Sequence, residues 1–382
     1  MMVEVSKRVK GIEESKIGES LKVLEQEPSI ISLGAGEPDF STPQRIIEAT
    51  KKFLEKGYTH YAPLEGKVEL REALADKLKK ENKIDVSPEE VLVTCGSKEA
   101  ILLTILSLID PGEKVIIPDP GYLAFRPIVL VANGVPISLH LRQEDGFEIN
   151  IDELKKLIDP KVKLLIINTP SNPTGAVFKK KTLEEIADVV VENELMVLSD
   201  EVYEKLVYEG KHISIGSLNG MKDYVITTQS FSKSYAMCGF RIGYVTGPLK
   251  LVEEMKKLKI CTTISAPTAS QIAAIEALKS EKDVEKMRKE YDRRRKLLIK
   301  RLSDFEKMEF VKPKGAFYFF PNISAYGMSS EEFSEFLLEK VKVLILPGNE
   351  FGKYGEGFIR ISYATAYEKI EEAMDRMEKV LS

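Results

Sequence analysis

The chain has 382 residues, 43% hydrophobic and 30% charged, with 24 Gly and 18 Pro, a mixture that excludes collagen-like, low-complexity and wholly disordered chains. With 56 Lys and Arg against 60 Asp and Glu, the net charge is -4, so no overall basic field exists to hold nucleic acid or an anionic membrane. The length exceeds what one core ordinarily supports, and at least two cores are expected. The amino terminus is charged from its fourth residue and lacks the apolar stretch of a signal peptide. The most apolar run, Ala100 to Ile109, falls short of the roughly 20 residues of a membrane span. Cys95, Cys238 and Cys261 are too few for a disulfide framework, and with 3 His no zinc-ligand spacing occurs. A cytoplasmic protein without structural metal, nucleic-acid partner or membrane partner is expected.

In chain order, Gly34-Ala35-Gly36 opens a GxG string, but Pro38 follows, no third glycine arrives at dinucleotide spacing and no Walker GKS or GKT occurs. This disfavours a nicotinamide oxidoreductase. From Val91 onward, short β-rich runs alternate with helical patterns: Val91 to Cys95, Lys114 to Pro118, Lys163 to Thr169, Leu195 to Asp200 and Tyr224 to Gln229. That alternation predicts an α/β fold with a mainly parallel sheet flanked by helices. One intervening helix is expected to start on a Thr182/Glu185 capping box, with Ile186, Val189 and Val190 on its inner face. Beyond it, a charged helical segment carries Arg293 to Lys296, read as a solvated face rather than a nucleic-acid contact. AFYFFPN, a Ser329/Glu332-capped helix, VLILP, GFIRISYA and a final helix then predict a smaller α+β domain.

Open parallel sheets place ligands beyond the carboxyl ends of their strands. The residues there are unusual: Asn172 lies in PSNPTG, Tyr203 follows Asp200, and Ser230-Phe231-Ser232-Lys233 follows the last run. Asn172, Asp200 and Lys233 are spaced by about one βα unit, roughly 30 residues, and should meet at one sheet edge. Asn172-Pro173 is a candidate cis bond. The turn Gly96-Ser97-Lys98 opens a helix N-terminus suited to an anion. Arg360 sits among apolar neighbours on a strand and needs a partner.

SFSKSYAMCGFRIG (Ser230 to Gly243), the most specific, together with NPTG, SDEVY, GAGEPDF and RISYA, resembles the signature strings of the class I/II aminotransferases. These are pyridoxal 5'-phosphate (PLP) enzymes of fold type I, and the likeness covers nearly the whole chain. The resemblance implies a division into residues 1–45, the amino-terminal part of a small domain, 46–282, the large PLP-binding domain, and 283–382, the rest of the small domain. It implies that Lys233 links to the cofactor aldehyde and then moves the substrate α-proton, and that Asp200 pairs with the ring nitrogen. Asn172 and Tyr203 would bind the phenolate oxygen, Tyr122 would stack on the ring, and Gly96, Ser97, Lys98, Ser230, Ser232 and Arg241 would surround the phosphate. Arg360, with Gly36 and Asn172, would grip the substrate carboxylate, the small domain closing over it.

Tyr61, with Tyr58 the weaker match, corresponds to a tyrosine reaching the neighbouring subunit's phosphate, which implies a homodimer. Lys98 matches either a contact to the distal carboxylate of acidic substrates or an ordinary first-turn lysine. Small-molecule amino acids and 2-oxo acids are the implied substrates. Aspartate or another acidic donor, or an aromatic one, with 2-oxoglutarate as acceptor, is the leading assignment; alanine, kynurenine and diaminopimelate are not separated from it. A PLP-dependent carbon–sulfur lyase would keep nearly all these residues. A regulatory aminotransferase-like domain would ordinarily carry an attached DNA-binding module, whereas this chain starts almost at once on the catalytic part.

Overall fold

The computed structural model describes residues 4–12 and 27–381. The start of the expected amino-terminal segment, residues 1–3 and 13–26, lies outside the described residues. Strand β1 (Ile31–Ser32) belongs to a second layer. The central sheet contains β2 (Val91–Thr94), β3 (Lys114–Asp119), β4 (Val135–His140), β5 (Val162–Asn168), β6 (Met196–Asp200), β7 (Val225–Ser230) and β8 (Gly243–Thr246). Their spatial order is β2-β8-β7-β6-β5-β3-β4, with only β8 running antiparallel to its neighbours.

Alternate side chains of β5 explain why the sheet is covered twice. Leu165 and Ile167 pack into one core with Phe178, Leu183 and Ile186, and Leu164 and Ile166 into another with Ile101, Ile105 and Val129. Each such fully buried aliphatic side chain contributes about 1.5–3 kcal/mol. The helix over residues 180–192 supplies Leu183, Ile186, Val189 and Val190 as expected. Its start differs from expectation: the first helical residue is Lys180, and Thr182 Oγ1 donates to Glu148 instead of capping. A distant carboxylate has taken the hydroxyl that the local pattern offered to the helix terminus.

A third core joins both ends of the described chain. Ile31 and Leu33 pack with Tyr291 and Leu298 of the helix Glu281–Leu302, with Phe319 of β9 (Tyr318–Phe319), and with Ile370 and Met374 of the last helix, Tyr367–Leu381. β1 pairs with β10 (Val343–Leu344), while β11 (Leu346–Pro347), β12 (Ile359–Ser362) and β9 form a separate antiparallel sheet. The helix Ser330–Val341 starts on the predicted Ser329/Glu332 capping box, worth about 1 kcal/mol. The Arg293–Lys296 cluster corrects the solvated-face reading in part. Arg293 and Lys296 are exposed, but Arg294 and Arg295 are buried, paired with Asp39 and Glu290 and with Glu209 and Asp292. Long basic side chains on this helix thereby tie it to the rest of the chain.

Candidate active site

The central strands β5, β6 and β7 start apolar and end on the polar residues Asn168, Asp200 and Ser230. Register sets Asn168 beside Asp200 and Asp200 beside Thr228, so the segments that follow open onto one edge. There a cavity of about 850 Å³ is lined by Gly36, Ser97, Lys98, Tyr122, Asn172, Asp200, Tyr203, Ser230, Ser232, Lys233, Arg241 and Arg360. Of the site residues singled out from sequence, Gly96, Tyr58 and Tyr61 do not line it. Gly96 lies directly behind Arg241; Tyr61 lies outside and is 81% exposed.

Lys233 sits in a single helical turn, Phe231–Ser234, whose first N–H groups are fixed by Ser230: its Oγ accepts from Ser232 N at 3.1 Å. Lys233 Nζ donates to the Gly36 carbonyl at 2.6 Å. Arg241, at φ 51°, turns its guanidinium back, donating to the carbonyls of Cys238 at 2.9 Å and Cys95 at 3.4 Å. Gly96 permits this approach: its φ is +81°, and a Cβ there would stand 2.7 Å from Arg241 Nη2. Lys98 completes a group of three cations. Burial first, then the charges of Arg241 and Lys233, lower its pKa. Such mutual repulsion is relieved by an anion among them.

Asp200 is 2% exposed, and burial raises its carboxyl to about 7. One backbone donor, Val202 N at 3.3 Å, faces it, together with the Lys233 charge; a cation brought into the cavity would return it to the ionised form. Tyr122 lines the wall nearby, its hydroxyl lifted to about 12 by burial. Tyr203 is buried and shares a 2.9 Å hydrogen bond with the Tyr318 hydroxyl. Asn172 follows the strand end through its backbone N–H, which donates to Asn168 Oδ1 at 2.8 Å, and the Asn172-Pro173 bond is cis, as anticipated.

Arg360, 2% exposed on β12, donates from Nη1 to Asn172 Oδ1 at 3.0 Å and from Nη2 to the Gly34 carbonyl. Tyr318 and Phe351 flank the guanidinium at 4.3 and 4.8 Å. Its Nε is buried without a partner, and no carboxylate neutralises it among the contacts described above. A buried cation with a free donor facing a cavity is built to take a carboxylate. Among the lining residues that sequence reasoning did not single out are Asn168, Cys238 and Tyr318. Tyr318 lies within an apolar run that reads as core. Asn168, a polar side chain ending an aliphatic strand as Asp200 does, carried a usable signal.

An amine, a buried carboxylate, a cluster of cations and a second, carboxylate-seeking arginine at the strand ends of a doubly covered sheet define the class of fold type I PLP enzymes. Residues 28–377 match the family model for aminotransferase class I and II. The chain is 50% identical to an aspartate aminotransferase of Pyrococcus abyssi, over 99% of this chain and 98% of that one. It is 48% identical to aromatic-amino-acid aminotransferase 2 of Thermococcus litoralis over the same shares. The solved aspartate aminotransferase of Thermus thermophilus with maleate superposes with a TM-score of 0.95 at 37% identity, each chain covered in full. The chain belongs to the class I and II aminotransferases, PLP-dependent enzymes that transfer amino groups. The cavity fits that cofactor: the Gly96 cradle and three cations suit a phosphate, and the under-donated Asp200 suits a ring cation.

Proposed function

We propose that this aminotransferase moves the amino group of an acidic or aromatic L-amino acid, aspartate foremost, to 2-oxoglutarate. The bound cofactor supplies an aldehyde that takes up the amino group and a cationic ring that withdraws electrons from the α-carbon. Lys233 would hold the cofactor through its Nζ, and the same amine, when free, would take up and return the substrate α-proton. Asp200 keeps the ring nitrogen protonated. Ser97, Ser230, Ser232, Arg241 and the Gly96 turn would hold the phosphate, Asn172 and Tyr203 would bind the phenolate oxygen, and Tyr122 would stack on the ring. Arg360 takes the substrate carboxylate through two parallel N–H donors, with Asn172 and Gly36 beside it.

The observation that carries this reading is the convergence of Lys233, Asp200 and Arg360, from three separated stretches of chain, on one cavity. Lys98 favours a dicarboxylic substrate, since a lysine beside two other cations gains from a second carboxylate. The maleate held by the Thermus relative is such an acid.

The exposed Tyr61 supports a homodimer in which each subunit contributes this ring to its neighbour's phosphate site. The core that residues 31–33 share with 287–377, and which also takes in Val202, Tyr203, Leu206 and Ala236, supports grouping 1–45 with 283–382 against 46–282, and closure of that part would exclude water from the reacting carbon. No described helix is long and apolar enough to cross a membrane, and with no overall basic field the protein is assigned to the cytoplasm. Incubating the purified protein with a panel of amino acids plus 2-oxoglutarate should yield glutamate, fastest with aspartate. Pyruvate and ammonia released without an acceptor would instead mark the carbon–sulfur lyase.

A further inference from the structure

Behind the cofactor wall lies a buried polar cluster that the reaction does not touch. Glu201, 0% exposed, directly follows Asp200. Its Oε2 receives Ser214 Oγ at 2.6 Å, His212 Nε2 at 2.9 Å and Gln229 Nε2 at 3.2 Å, and its Oε1 receives Ser199 Oγ at 2.9 Å. Gln229 also donates to Glu204 at 3.0 Å, and Glu204 takes Asn82 Nδ2 at 2.6 Å and the Lys77 ammonium. Glu201, Glu204 and His212 lie close enough to hold a metal ion, their ligand atoms within 4.8 Å, but the Lys77 ammonium already occupies the place of a cation on Glu204.

The charges of the cluster pair off, Lys77 with Glu204 and His212 with Glu201; Lys205 and Glu81 form a further pair at its margin. Only the His212 pair adjoins Asp200 along the strand. The Glu201 charge works against ionisation of Asp200. The His212 ring is driven toward its protonated form by the Glu201 and Glu204 charges, against burial and Lys77. Its Nδ1 is buried without a partner, and its Nε2 is bonded to the Glu201 carboxylate.

We propose that His212 is a positioning residue for the cofactor: its positive charge cancels that of Glu201, leaves Asp200 free to ionise, and so sets the affinity of the site for the ring nitrogen. This rests on the assignment of Asp200 under Proposed function. His212→Gln keeps an N–H donor for Glu201 but removes the cation; Glu201→Gln removes the anion. The two variants therefore act on Asp200 with opposite sign.

The test titrates the cofactor-stripped full-length protein with PLP and with 1-deaza-PLP, whose ring lacks the nitrogen. A change equivalent to one pKa unit at Asp200 is about ten-fold in affinity. His212→Gln should weaken PLP about ten-fold on that scale and leave 1-deaza-PLP unchanged, while Glu201→Gln should tighten PLP alone. If His212→Gln weakened both compounds alike, or neither, the proposal would be overturned. Were that variant unable to fold, Glu201→Gln decides: tighter PLP supports the proposal and unchanged PLP overturns it. An unmodified protein that took up neither compound would bring down the cofactor assignment itself, and this inference with it.

Discussion

Arg360 Nη1 donates to Asn172 Oδ1 at 3.0 Å, joining a strand near the chain's carboxyl end to the loop beyond β5. The pair fixes the guanidinium while its Nε stays without a partner. Lysine cannot reproduce this planar fork. Arg360→Lys should therefore lower kcat/KM for every amino donor about 100-fold, the equivalent of ~3 kcal/mol for lost charge-assisted hydrogen bonds. PLP content should stay at the level of the unmodified enzyme. Steady-state kinetics beside a cofactor assay checks this; loss of cofactor in the variant would assign Arg360 to the wrong ligand.

Asp200 makes the cofactor-free protein sensitive to pH in an unusual direction. With its carboxyl raised by burial to about 7 from 3.8, the folded chain keeps a proton between about pH 4 and 7 that the unfolded chain has released. The unfolded state thus binds fewer protons, and stability falls as pH rises through that window, by about 4 kcal/mol in all. Cofactor-free Asp200→Asn should melt higher than the unmodified chain at pH 8, and the two should converge near pH 4. A melting-temperature difference that stays constant across this range would contradict the burial argument.

Gly96 combines a positive φ with a guanidinium at its back. Gly96→Ala should cost about 1 kcal/mol or more in stability and displace Arg241 from the phosphate end. PLP should then bind about ten-fold more weakly, the loss of one charge-assisted hydrogen bond, while pyridoxal, which lacks the phosphate, should bind as before. Equal losses for both ligands, measured by equilibrium titration, would remove the phosphate from this turn.

Lys98 divides the substrate assignments. Lys98→Ala should lower kcat/KM for aspartate about ten-fold, the scale of one charge-assisted contact, and leave phenylalanine nearly untouched. The same loss for both amino acids would make Lys98 a phosphate neighbour without a part in specificity.

Much of this architecture was legible because its parts are local. The aliphatic runs of β3, β5, β6 and β7 announce themselves, and the Ser329/Glu332 box forms because both residues lie within one turn. What escaped depends on partners far along the chain. β8 starts on the last residue of a segment that reads as a ligand-binding string, and pairs with β2 and β7 on either side. β4 is an edge strand beside β3 alone, with Pro136 interrupting its pattern. Thr182 was drawn off by Glu148, and Arg294 and Arg295 look solvated until Asp39 and Glu209 come into view. In the site, Lys233, Asp200 and Asn172 stood at strand ends, whereas Tyr318 resembled any other core aromatic and gains its place from the Tyr203 hydroxyl.

The most direct measurement reduces the PLP-loaded protein with borohydride, digests it and maps the phosphopyridoxyl group by mass spectrometry. The account predicts the label on Lys233 alone, and none after Lys233→Ala. A label on Lys98 or on any other lysine, or none on the unmodified protein, would contradict it.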